Sequence, residues 1–296
     1  MAAGNPEARD GLLSIGQVVA LLSPHYPDVT PSSLRFLERA GVVEPRHTPG
    51  GHRLFAPADV ERVRRVKEWQ RERLSLAEIR RRLAAAGNLP APPELAATFL
   101  DHCLAGQPAA ARRTVLQACE VGLPLARIYD EVLRPALHEV GRRWEAGQLA
   151  VGQEHEAAAL ARDLVAELAA RTPEGSRLRQ VAVAACVPGE AHDLGLRMAA
   201  SVFQARGYAV HYLGADVPVE SLLHAMRTRG ASLLLISATL DRSFSALDTT
   251  LREVGTLAEA VRPRVLAGGQ AVRARDEMVR RWGATPVHEL AGELPL

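Results

Sequence analysis

From about residue 178 the chain switches repeatedly between two hydrophobic periodicities, and this narrows its possible folds more than any other feature. Near-continuous apolar runs, VAVAACV (181–187), YAVHYLG (208–214), SLLLISA (232–238) and RVLAGG (264–269), alternate with stretches of helical spacing. A strand that is apolar on both faces must be covered on both, and helices returning between parallel strands supply that cover. A weaker fifth run, ATPV (284–287), precedes HELAGEL (288–294). Five strand–helix units therefore imply a doubly wound, Rossmann-like parallel sheet over 178–296.

The rest of the chain is punctuated differently. Residues 94–174 carry no strand signal. Leu125, Tyr129, Val132, Ala136, Val140 and Trp144 form one helical stripe, and breaks at AGQP, VGLP and EAGQ divide the segment into four helices, a small bundle. AAAGNLPAPPE, at its start, reads as a helix-breaking linker over 84–93. Residues 11–83 are arginine-rich and patterned as short helices. The expected class is multidomain, α followed by α/β.

Composition sets further bounds. Apolar residues make up 47% of the 296, enough for several cores, while a net charge of +2 confines any polyanion contact to a local patch. Cys103, Cys119 and Cys186 are widely spaced in apolar surroundings, which suits a reducing cytosol and gives no zinc spacing. No run approaches the ~18 apolar residues of a membrane span, and MAAGNPEARDG lacks the basic and apolar regions of a signal peptide. A cytoplasmic chain with no membrane partner is expected.

Within 11–83, LSIGQVVALL reads as a helix, and TPSSLRFLERAGVV as a second one with Thr30 as N-cap, Pro31 in its first turn and Gly41 as its stop. EPRHTPGGHRLF then gives two short extended arms around a Pro-Gly-Gly turn, and two more helices follow. This order is a winged helix-turn-helix, whose second helix enters a major groove while the wing grips the backbone. Thr30, Ser32, Ser33 and Arg35 are the candidate contacts at the helix start; Arg46, His52 and Arg53 are those on the wing. SLRFLERAGVVEPRHTPGGHRLF resembles the MerR family of transcription regulators, with SPHYPDV lengthening the turn between the first two helices. The resemblance implies double-stranded operator DNA as partner.

GEAHDLG (189–195) follows the first strand of the sheet, where open parallel sheets bind ligands. Glu190, His192, Asp193 and Gly195 resemble the cobalamin-binding signature D-x-H-x-x-G, with glutamate for aspartate. In that family the histidine is the lower axial ligand to cobalt, so His192 is the candidate metal ligand and Glu190 the acceptor that fixes its tautomer. Ser237, Thr239 and Leu240 after the third strand, and Gly268 and Gly269 after the fourth, stand where the family has Ser-x-Leu and Gly-Gly, with Thr239 in place of leucine. The resemblance implies that Gly195 and the paired glycines make room for the nucleotide tail.

In the bundle, Trp144, Val151, Glu154 and His155 resemble the W-x9-E-H motif of light-sensing cobalamin regulators of the CarH type. There the tryptophan packs on an upper adenosyl group, and Glu-His contact that group or its surroundings. Some photoreceptors of this type carry histidine after the tryptophan; here Glu145 stands there, so a bis-histidine lit state is not implied. The order of reader, bundle and sheet matches CarH-like proteins throughout. It implies a non-enzymatic repressor controlled by adenosylcobalamin, tetrameric in the dark and monomeric or dimeric when lit. Two alternatives stay open: a light-independent cobalamin-binding regulator of the same build, and the methylcobalamin carrier module of a methyltransferase.

Overall fold

The computed structural model describes residues 11–71, 73–172 and 180–292. The N-terminal decapeptide, residues 173–174 and 178–179 of the expected segments, and residues 293–296 lie outside the described residues. The chain divides into two compact units, residues 1–89 and 90–296.

The first unit begins with β1 (Leu13–Ser14) and α1 (Ile15–Leu22). Ser14 caps α1 reciprocally with Gln17, which is why the strand ends there. α2 (Pro31–Arg39) starts at Thr30 and Pro31 as expected and stops at Gly41, whose φ of +67° allows the chain to reverse. β2 (Arg46–His47) and β3 (Arg53–Phe55) form the wing. They are joined by β1, in the order β1-β3-β2, with Leu13 opposite Phe55. α3 (Pro57–Arg71) and α4 (Leu76–Gly87) complete the unit. Val18, Leu22, Leu34, Leu37, Phe55, Val63 and Ile79 are its buried core. The inserted turn is fastened to α3: Tyr26 and Val29 are buried, Tyr26 Oη donates to Glu68, and Lys67 Nζ donates to Asp28 at 2.8 Å.

The break between units is shorter than the sequence implies. α4 continues through the alanines to Gly87, because alanine is the strongest helix former, and only residues 88–91 separate it from α5 (Pro92–Leu104). α5, α6 (Pro108–Glu120), the hairpin partner α7 (Leu125–Arg127) and its continuation α8 (Arg134–Glu145), and α9 (Val151–Arg171) make up the bundle. A π-turn, Ile128–Leu133, joins α7 to α8. The extra residue per turn lets Ile128, Tyr129, Val132 and Leu133 all be buried.

The sheet is parallel, with strands β4 (Val181–Cys186), β5 (Ala209–Gly214), β6 (Leu233–Ser237), β7 (Arg264–Gly268) and β8 (Ala284–Val287) in the order β5-β4-β6-β7-β8. α10 (Leu194–Ala205) packs on one face. α11 (Val219–Arg229), α12 (Phe244–Gly255), α13 (Gln270–Arg273) and α14 (Asp276–Arg281) supply the other. The strand order reverses between β4 and β6, which opens the crevice beyond their carboxyl ends. HELAGEL is not helical over its described residues 288–292. The amides of Leu290 and Ala291 instead donate to buried Asp130 of the π-turn, and Arg134 and Arg273 hold the His288 carbonyl.

Candidate functional site

The loop after β4 is built around one buried carboxylate. Glu190 is fully buried, and four donors surround it. Oε1 accepts from the His192 amide at 2.9 Å and from His192 Nδ1 at 2.6 Å. Oε2 accepts from the amides of Thr239 and Leu240 at 2.8 and 2.9 Å. Thus the loops after β4 and β6 meet across the point where strand order reverses. Burial alone would push the Glu190 pKa up, but the amides of Leu240 and His192, the His192 ring and the Thr239 amide outweigh it and bring it to about 2. An ionised carboxylate only accepts, so the proton of neutral His192 sits on Nδ1. Its Nε2 then carries a lone pair, on a side chain that is 57% exposed. This is the arrangement a nitrogen needs in order to meet a metal from solution.

Two further acids shape the loop, and neither role could be read from sequence. Asp216, with φ of +51°, accepts from the Gly189 amide at 2.7 Å and donates its own amide to the Glu190 carbonyl. The Asp193 carboxylate is committed to protein partners. It is buried and accepts from Tyr212 Oη at 2.8 Å, Arg197 Nε at 3.0 Å and Arg162 Nη2 at 3.3 Å. Burial again opposes ionisation, and the Tyr212 and Arg197 hydrogen bonds overcome it, holding the carboxyl below its usual range. Cys186, at the end of β4, is buried beside these charges, and its thiol is pushed up to about 12 by burial first and then by Asp193 and Glu190.

The glycines have different reasons. A Cβ at Gly195 would meet nothing within 4 Å, so that position borders free space. At Gly269, with φ of +110°, a Cβ would collide with the Ala238 carbonyl, so close passage of the loops after β6 and β7 already demands glycine there. Gly268 has only ordinary contact with the Val287 carbonyl. Ser237 is buried, and Thr239 and Leu240 contribute their amides. Ser243, which follows them, is buried with a hydroxyl that has no hydrogen-bond partner.

In the bundle the apolar stripe does not end inside the core. Tyr129, Val132, Ala136 and Val140 are buried, but Trp144 is 46% exposed and Val151, at the start of α9, 55%. Trp144 is therefore not ordinary bundle core. Glu154 and His155 form a pair at 2.6 Å in the same part of α9, and Glu145 is the last residue of α8.

In the reader, Thr30 and Ser33 cap each other's backbone across the start of α2, so their hydroxyls serve the helix itself. Ser32 and Arg35 are exposed beside them, as are Arg46 and His52 on the wing. Arg53 Nε donates to Glu38 of α2 at 2.6 Å, and His47 Nε2 lies 3.2 Å from the same carboxylate. Glu38 thereby fixes the wing to α2, a role the sequence did not signal.

These features fit cobalamin on chemical grounds. They comprise an imidazole nitrogen held open by a carboxylate, free space beside Gly195, an unpartnered buried hydroxyl at Ser243 and an uncovered apolar corner at Trp144 and Val151. Among the described residues no cluster of three or more His, Cys, Asp and Glu could hold a bare metal ion. No helix of the described residues is long and apolar enough to cross a membrane.

Comparison with known proteins agrees. Residues 14–86 match the MerR HTH family regulatory protein model, and residues 95–169 and 180–293 match two B12 binding domain models. The chain is 30% identical over 269 residues to the HTH-type transcriptional repressor CarH of Myxococcus xanthus, covering 86% of this chain and 88% of that protein. It is 26% identical over 157 residues to the dimethylamine corrinoid protein of Methanosarcina barkeri, covering 52% and 74%. The solved monomethylamine corrinoid protein of Methanosarcina barkeri shares the fold, with a TM-score of 0.57 at 20% identity over 68% of this chain and 95% of that one.

Proposed function

We propose that this chain, which belongs to the CarH family of cobalamin-binding, MerR-type transcriptional regulators, holds its operator in darkness with adenosylcobalamin bound and releases it when lit. The chemistry that adenosylcobalamin supplies is a cobalt–carbon bond that green light breaks. His192 Nε2 is the nitrogen that would bind the cobalt, with Glu190 keeping the proton on Nδ1. Gly195 leaves room for the nucleotide tail, and the loops of Ser237–Leu240 and Gly268–Gly269 flank it. Asp193 braces the loop from behind.

The observation that carries the adenosyl form is the exposure of Trp144 at the end of α8 and of Val151 at the start of α9, the helix that bears the Glu154–His155 pair. A tryptophan buries about 150–250 Å², so covering its exposed half is worth roughly 2–3 kcal/mol at ~25 cal/mol per Å². Loss of the cover returns that amount, enough to shift a two-state bundle by one to two orders of magnitude. In the dark form four copies assemble, and several readers engage one operator together, so that avidity multiplies modest single-reader affinity. Ser32 and Arg35 face the groove, with Thr30 and Ser33 setting the helix start; Arg46, His52 and Arg53 meet phosphates. The lit chain reverts to monomer or dimer.

The test is size-exclusion chromatography and operator-fragment retention of the full chain with adenosylcobalamin, kept dark and after green light, with methylcobalamin and cofactor-free arms. A large, DNA-retaining dark species that dissociates on illumination is expected. Equal size and retention in both arms would replace this reading with a light-independent regulator.

A further inference from the structure

Arg162 lies within α9, far in sequence from the axial-ligand loop, yet its Nη2 reaches the Asp193 carboxylate next to His192. Seven residues separate Arg162 from His155. In an α-helix that is two turns, about 10 Å along one face. One face of α9 therefore bears the Glu154–His155 pair at its start and the tie to the His192 loop further along. Asp193 is the other half of the tie. Tyr212 Oη and Arg197 Nε occupy Oδ2, and the Arg197 guanidinium lies over the Tyr212 ring at 4.5 Å from its centroid. Oδ1 is left for Arg162. Asp193 cannot turn outward to a ligand without breaking all three contacts.

We propose that Arg162 and Asp193 are positioning residues that link the lower-ligand loop to α9, so that the pose of His192 and the pose of Glu154 and His155 depend on one another. This rests on the reading of His192 as the lower ligand. The tie makes the two axial sides of the site thermodynamically reciprocal: what favours one pose at His192 favours the matching pose of α9, by the same factor in both directions. Arg162 is half exposed, so its removal takes little from the fold itself.

The experiment titrates the full chain in the dark with two probes, adenosylcobalamin and hydroxocobalamin, for wild type, Arg162→Met, Arg162→Lys and His192→Ala, and records the thermal midpoint of each cofactor-free chain. Hydroxocobalamin carries no large upper group, so it engages the lower side alone. Arg162→Met is expected to weaken adenosylcobalamin binding about tenfold, to weaken hydroxocobalamin much less, and to leave the cofactor-free midpoint in place; Arg162→Lys restores part of the loss. Wild-type binding of both probes by Arg162→Met, or an equal loss of both, overturns the proposal. Wild-type binding of both by His192→Ala instead overturns the reading beneath it, and the proposal with it.

Discussion

Replacing Glu190 with glutamine keeps the shape of the side chain and removes its charge, which isolates the role of the buried carboxylate. The amide cannot satisfy its neighbours in either orientation. With its oxygen toward His192, its NH2 faces the Thr239 and Leu240 amides, donor against donor. With the oxygen toward those amides, its NH2 donates to His192 Nδ1 and forces the ring proton onto Nε2, blocking the lone pair. The carboxyl pKa falls from 4.5 to about 2 in the fold, a preference of about 3 kcal/mol for the ionised form. Because the folded value is lowered, this contribution is complete above pH 4.5 and is lost as pH falls toward 2. Glu190→Gln should therefore lower the cofactor-free midpoint of the 90–296 unit by roughly 6–12 °C at neutral pH. The gap from wild type should narrow as pH is lowered from 5 toward 2, with less than half of it left at pH 3. Cobalamin affinity should fall about 10- to 100-fold, as for other partners that orient a ligating histidine. Thermal melts across pH, with absorbance titrations at pH 7, measure both. An unchanged midpoint at neutral pH, or a gap that persists undiminished in acid, would refute the reasoning.

Other substitutions separate ligand roles from fold roles. Gly195→Ala places a methyl in free space on a helix, so it should leave the cofactor-free chain as stable or up to about 1 kcal/mol more stable while weakening cobalamin binding; Gly269→Ala, forced against the Ala238 carbonyl, should cost about 3 kcal/mol or more in denaturant titrations whether or not cobalamin is present. Trp144→Ala removes an exposed ring, so the cofactor-free midpoint should hold while dark assembly with adenosylcobalamin is lost; a lowered midpoint with intact assembly would return Trp144 to a purely structural role. Arg53→Ala removes the wing's tie to Glu38 together with a phosphate contact, so it should weaken binding to all DNA sequences and reduce the salt slope by about one, read by fluorescence anisotropy at several salt concentrations; a uniform loss with an unchanged salt slope, or a loss confined to one base pair, would contradict the phosphate contact.

Much of the fold is legible because its signals are local. Thr30, Pro31 and Gly41 start and stop α2 by their own backbone chemistry, and the four strong apolar runs become β4 to β7 because both faces of the sheet are covered. What escapes the sequence depends on distant partners. β1, within a stretch that reads as helix, exists because Phe55 lies opposite Leu13. Residues 288–292 of HELAGEL are not helical because Asp130 takes the Leu290 and Ala291 amides, and Trp144 continues a buried helical stripe in spacing yet emerges from the core past the π-turn. The Glu190–His192 pair sits within one motif and could be anticipated. The Thr239 and Leu240 amides, Asp216, Arg162 and Glu38 act across separations of many residues, and no spacing rule announces them.

The most direct test of the central claim uses the full chain loaded with cob(II)alamin, whose unpaired electron reports the axial nitrogen in its electron paramagnetic resonance spectrum. Ordinary nitrogen splits each cobalt line into three and nitrogen-15 into two. With nitrogen-15 incorporated only in histidine, the account predicts two-line splitting in the wild type and its loss in His192→Ala. Three-line splitting from the labelled wild type would mean that the cofactor keeps its own base, and would contradict the assignment of His192 as the lower ligand.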